Sequence, residues 1–120
     1  MMLEEILKDE TSTTYFLENH FNEKLEVVVY EQRYVYDTIV RYSVLKIGTR
    51  NLVYCMAKLY VAALSDNETS LILAKELPLG KIFHNPFKKN IKIQNSIATR
   101  TYTYCNNGKV IGEIVEAFNF

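Results

Sequence analysis

Tryptophan is absent from the sequence, and 120 residues include only two prolines, four glycines, two cysteines and two histidines. His20 and His84 stand apart, without the clustered His, Cys or carboxylate spacing of a zinc or iron site, so no metal or cofactor is implied. Cys55 and Cys105 lie far apart within β-like runs and are read as two reduced, packed thiols. There is no excess charge of either sign, fourteen basic residues against fourteen acidic. That balance removes the positive field expected of a nucleic-acid or anionic-membrane binder and points to a small-molecule partner. No apolar run approaches the roughly 20 residues that span a bilayer. The first residues, Met-Met-Leu-Glu-Glu-Ile-Leu-Lys-Asp-Glu, lack the basic start and apolar stretch of a secretion signal, so a cytoplasmic location is expected. No internal repeat, low-complexity tract or linker interrupts the chain, and residues 1–120 are read as one domain.

What is present is a switch of period. Leu3, Ile6 and Leu7 share one helical face, and Phe16, Leu17 and Phe21 share another, which predicts two short opening helices with Asp9 or Thr11–Ser12 as the cap of the second. From Leu25 the residues become β-branched and aromatic, predicting strands over 25–30, 34–47 and 52–64, the last two joined through Gly48-Thr49-Arg50-Asn51. A helix is predicted over 67–77 and a helical turn over 78–83, ended by Pro86. Residues 87–96 read as an edge strand or an extended connection, with Ile91 and Ile93 alternating. Asn106-Asn107-Gly108, between strands over 99–105 and 109–118, is a tight hairpin turn. Strands grouped on both sides of a helical insert imply an α+β fold with an antiparallel sheet. The third strand is apolar at 53, 55, 57, 59 and 61 and again at 52, 54, 56, 60 and 62, which predicts cover on both sides or a closed cavity.

Two charges interrupt these apolar strands. Arg41 alternates with Ile39, Ser43 and Leu45, and Glu116 with Ile114 and Phe118, so both are candidates for an apolar interior. A buried charge requires a partner, and a guanidinium matches a carboxylate bidentately. Ordinary solvent exposure, or a purely structural pairing of Arg41 with Glu116, is the competing reading; Glu113, on the opposite face of the same strand, is an equal candidate for the inward carboxylate.

Four stretches, in order, resemble the chorismate lyase-like family, which includes chorismate pyruvate-lyases, their archaeal and plastid relatives and the ligand-binding domains of GntR-type regulators. They are Thr11-Ser12-Thr13-Thr14-Tyr15-Phe16-Leu17-Glu18, the arginine strand Val40-Arg41-Tyr42-Ser43-Val44-Leu45, the turn Leu77-Pro78-Leu79-Gly80-Lys81-Ile82-Phe83, and the hairpin from Arg100 through Gly108 to Glu116-Ala117-Phe118. The resemblance covers most of the chain. It implies a single curled antiparallel sheet of about six strands with helices covering an internal ligand pocket. It also implies elimination of pyruvate from chorismate, a dicarboxylate, to give 4-hydroxybenzoate. In that reading Arg41 grips a carboxylate, Glu116 approaches the reacting ether, and Thr13, Thr14, Leu79 and Gly80 supply backbone or wall contacts.

The sequence departs from the family in two places. Where a second arginine is expected it has Met56, Ala57 and Lys58, leaving Arg33 or Arg100 as replacements, each a candidate solvated strand-end charge. Little chain separates Ile93 from Thr99, where relatives carry a longer connection, so closure of the pocket and turnover are the properties at risk. A noncatalytic module that binds a small anion such as an aromatic carboxylate is therefore the second expectation. A protein-binding face built from some of the nine tyrosines is a third. No basic helix-turn-helix segment precedes the domain, so the chain alone is not expected to bind DNA, which leaves open pairing with a separate regulator. Charge balance argues against a membrane partner, and the sequence does not set the oligomeric state.

Overall fold

A computed structural model of the chain describes residues 2–8, 12–83, 86–94, 97–106 and 108–120, with 8, 86–94, 97 and 106 described by backbone alone. Strand-forming residues dominate from Glu26 onward. They build β1 (Glu26–Val35), β2 (Thr38–Ile47), β3 (Arg50–Tyr60), β4 (Pro86–Gln94), β5 (Ile97–Asn106) and β6 (Lys109–Phe118). The sheet is antiparallel, runs in the order β1-β2-β3-β6-β5-β4 and does not close into a barrel. The helices are α1 (Met2–Lys8), α2 (Thr13–Phe21) and α3 (Asp66–Ala74), with short helical turns at Val61–Ala63 and Leu79–Lys81. Fold class is thus α+β, as the grouping of strands predicts. None of the described helices is long and apolar enough to cross a membrane.

Several boundaries differ from expectation for local reasons. Residues 34–47 are not one strand: Tyr36 takes a left-handed φ of 55° and, with Asp37, turns β1 into β2. β3 stops at Tyr60, and 61–63 coil into a helical turn rather than prolonging the strand. α3 starts where Ser65 and Glu68 form a reciprocal capping box, and it ends where Lys75 adopts φ 61°. Pro86 begins β4 instead of only ending the preceding turn. Gly48 and Gly108 supply the positive φ of the two predicted hairpin turns. Ser12 caps α2, its hydroxyl accepting from Thr14 N at 3.2 Å. Asp9, Thr11, His84 and Asn107, and the side chains of Ile91 and Ile93, lie outside the described residues.

The helices pack on one face of the sheet. Ile72, Ile82 and Phe83 join Ile39, Leu59 and Ile114 in one buried cluster. Ile6, Leu7 and Leu17 join Leu45, Val53 and Phe118 in a second. Cover on both sides of β3 is corrected: Tyr54 is 44% exposed and Lys58 is exposed, so the outer face meets solvent. Cys55 and Cys105 are free thiols.

Candidate functional site

Register lines up the inner face in rungs. Ser43, Cys55, Glu116 and Arg100 occupy a single rung across β2, β3, β6 and β5. The next rung holds Gln32, Arg41, Ala57, Ile114 and Tyr102. Gln32 reaches this face because β1 carries an extra residue between Val29 and Glu31, which shifts the alternation by one. Without that bulge Glu31 and Arg33 would point inward; instead they pair with each other at the surface.

Arg41 and Glu116 are each 1% exposed, so alternation assigns both correctly to the interior. Glu113 is exposed on the other face, where it accepts from Tyr60 Oη at 2.7 Å, and Glu116 is the inward carboxylate. The two inward charges nevertheless do not face one another. β3 lies between their strands, a separation of roughly 10 Å at ordinary strand spacing. Arg41 Nε donates to Gln32 Oε1 at 2.8 Å, Nη1 to Leu77 O at 3.1 Å and Nη2 to Ile72 O at 2.7 Å. Ile72 lies in the last turn of α3, where free carbonyls and the negative end of the helix dipole favour a cation. Arg41 thus fastens α3 to the sheet. Burial lowers the Arg41 guanidinium to about 10.

The partner of Glu116 is Arg100, which is fully buried. Glu116 Oε1 lies 3.0 Å from both Nε and Nη2 of Arg100, and Glu116 Oε2 accepts from Tyr102 Oη at 3.1 Å. Arg100 also donates through Nη1 to Ile6 O at 2.6 Å and through Nη2 to Thr13 Oγ1. Its guanidinium carbon lies 5.3 Å from the Phe118 ring centre and 5.5 Å from that of Tyr102. One side chain therefore joins the end of α1, the start of α2, β5 and β6. The reading of Arg100 as a solvated strand-end charge is overturned. The available signal was its alternation with Ala98, Tyr102 and Tyr104, which share its face and are buried. Arg33, the other substitute, is exposed, and Ala57 faces inward with no polar atom to offer, while Met56 and Lys58 turn outward.

A small cavity opens beside this pair, between the start of α2, the Leu79–Lys81 turn and the sheet. Thr13, Thr14, Leu79, Gly80, Cys55 and Glu116 line it, and Arg41 does not. Four wall residues anticipated from the sequence and the anticipated carboxylate thus lie together. Gly80 makes the approach possible: a β-carbon there would stand 2.2 Å from Ser12 Oγ and 2.7 Å from Thr14 Oγ1. The free volume is about 20 Å³, enough for a water molecule and far below an aromatic acid. Burial and the neighbouring Glu116 push the Tyr102 hydroxyl well above its ordinary range, and the Cys55 thiol rises for the same two reasons. Tyr104 is raised as well, chiefly by burial.

Chemically, the arrangement offers one guanidinium beside the cavity, a carboxylate on its wall and a protonated phenol bonded to that carboxylate. Every buried side-chain nitrogen or oxygen among the described residues has a hydrogen-bond partner, so a ligand must exchange contacts rather than fill vacant ones. No protein-family model matches the chain, and no curated protein is significantly similar to it.

Proposed function

We propose that this chain is a chorismate lyase-like domain that binds a small aromatic carboxylate beside Arg100 and Glu116 without turning it over. The reading takes the fold as a sheet of about six strands curled around a ligand pocket that is closed in the absence of ligand. The observation that carries it is the division of labour between the buried arginines. Neither arginine lines the cavity itself, but Arg100 bonds two residues that do, Glu116 and Thr13, whereas Arg41 bonds Gln32 and the carbonyls of Ile72 and Leu77, none of which lines it. Holding both carboxylates of chorismate for elimination of pyruvate asks for two cationic contacts; holding one aromatic carboxylate asks for one. A buried ion pair adds little to stability compared with apolar packing, so its position beside a cavity is better accounted for by ligand exchange. The ligand carboxylate takes the place of Glu116 or Thr13 on the guanidinium, and the ring parts α2 and the Leu79–Lys81 turn from the sheet.

The lyase reaction is the second reading, and one contact favours it. Glu116 and Tyr102 form a hydrogen-bonded carboxylate–phenol pair at the cavity, able to move a proton as a C–O bond breaks. Titration calorimetry with 4-hydroxybenzoate and with chorismate, paired with an assay of pyruvate release, separates the two. Binding without pyruvate above the spontaneous rate is expected, with affinity lost in Thr13→Val and Arg100→Met. Catalytic pyruvate release abolished by Glu116→Gln would establish the lyase instead. Neither binding nor release would overturn both readings.

A further inference from the structure

The outer face of the sheet carries an unusual surface for a face that meets solvent. Its central rungs are Tyr42, Met56, Val115 and Thr101, then Val44, Tyr54, Ala117 and Thr99. No described helix packs against them, and Tyr54 and Tyr30 are 44% and 61% exposed. A half-exposed antiparallel sheet ordinarily alternates apolar residues inward with polar residues outward, and a contiguous apolar patch on the polar side marks an interaction surface. A groove of about 360 Å³ runs along this face, lined by Met56, Lys58, Thr101, Thr103, Glu113 and Val115.

We infer that this face pairs with the same face of a second copy of the chain, around a two-fold axis parallel to the strands and between β3 and β6. That operation lays β3 of one copy over β6 of the other and β2 over β5. Residues paired within one sheet then meet across the interface. Lys58 meets the partner's Glu113, Met56 meets the partner's Val115, Tyr54 meets the partner's Ala117, and Tyr42 meets the partner's Thr101, following the registers Lys58↔Glu113, Met56↔Val115, Tyr54↔Ala117 and Thr101↔Val115↔Met56↔Tyr42. Opposite charges coincide, and each large side chain falls on a smaller one. The groove gives room for that interdigitation, as in stacked sheets. A net charge of zero leaves no long-range repulsion between copies. Four strands by eight residues span roughly 500 Å² of sheet per copy, about 1,000 Å² for two, where specific interfaces begin. This pairing is independent of the ligand site, which lies on the opposite face.

Sedimentation equilibrium of the full chain tests it. The wild type is expected to form a dimer in the micromolar range. Val115→Asp, which alters a face open to solvent in a single copy and keeps the circular dichroism spectrum, is expected to weaken the dimer on the order of 30-fold. Lys58→Glu weakens it too, and adding Glu113→Lys restores it, because exchanging the two charges preserves the cross-interface pairing. A wild type that stays monomeric far above micromolar concentration overturns the inference. So does a dimer indifferent to Val115→Asp, since the copies then meet elsewhere.

Discussion

Glu116 and Arg100 define the site at the scale of single residues. Removing the carboxylate takes away the ion-pair partner that the fully buried Arg100 guanidinium has on β6. Glu116→Gln is therefore expected to destabilise the fold by about 3–5 kcal/mol, read as a lower urea midpoint. The double variant Arg100→Met with Glu116→Leu should recover most of that loss, because the charge to be solvated has gone. Tyr102 sets a pH dependence. Its hydroxyl is raised well above the ordinary value of 10.0, so the folded state keeps a proton that the unfolded chain loses. Its contribution to stability is complete below pH 10 and declines as pH rises beyond it. Urea unfolding between pH 8 and 11 should show that decline, and Tyr102→Phe should lessen it, with the similarly raised Cys55 and Tyr104 carrying the rest. At this scale alternation made Arg41 and Glu116 legible as inward residues. What their carboxylate and guanidinium touch was not legible, because the partners Arg100, Gln32, Ile72 and Leu77 come from 16 to 36 residues away or across a bulge.

Among the elements, the irregular points govern the site. The bulge in β1 swaps the inward residue from Glu31 to Gln32, and that exchange supplies Arg41 with a neutral acceptor instead of a salt-bridge partner. A period-two reading of the strand has no means of anticipating one inserted residue. The turn at Tyr36–Asp37 was missed for a related reason: it lacks glycine, asparagine and proline. The capping boundary at Ser12 and the hairpin closing at Gly108 carry their own chemical signals and were legible. Of the four glycines Gly80 stands closest to a neighbouring element, and Gly80→Ala is expected to cost about 1–3 kcal/mol by pushing the start of α2 from the Leu79–Lys81 turn. Ser12→Ala in the same chain should relieve part of the clash while forfeiting about 1 kcal/mol of capping. Because the cavity holds about 20 Å³, α2 must separate from the sheet before a ring enters. Stopped-flow binding rates are therefore expected to level off with rising 4-hydroxybenzoate concentration, the plateau reporting the opening step.

The whole molecule divides its work between the two faces of the sheet. Helices, buried arginines and the cavity occupy one face, and an aromatic, self-complementary surface occupies the other. The α+β class and the antiparallel pairing followed from composition and turns, but which face was covered depended on where three helices settle, information spread over the entire chain. On the covered face, the proposed function requires Arg100 to exchange an internal partner for a ligand carboxylate. The most direct measurement is the ¹⁵Nε–Hε resonance of Arg100 in a two-dimensional NMR titration with 4-hydroxybenzoate. A saturable shift of that resonance, absent with the uncharged methyl ester, is predicted; a resonance unmoved by acid that demonstrably binds, or no binding by the folded protein at all, would contradict it.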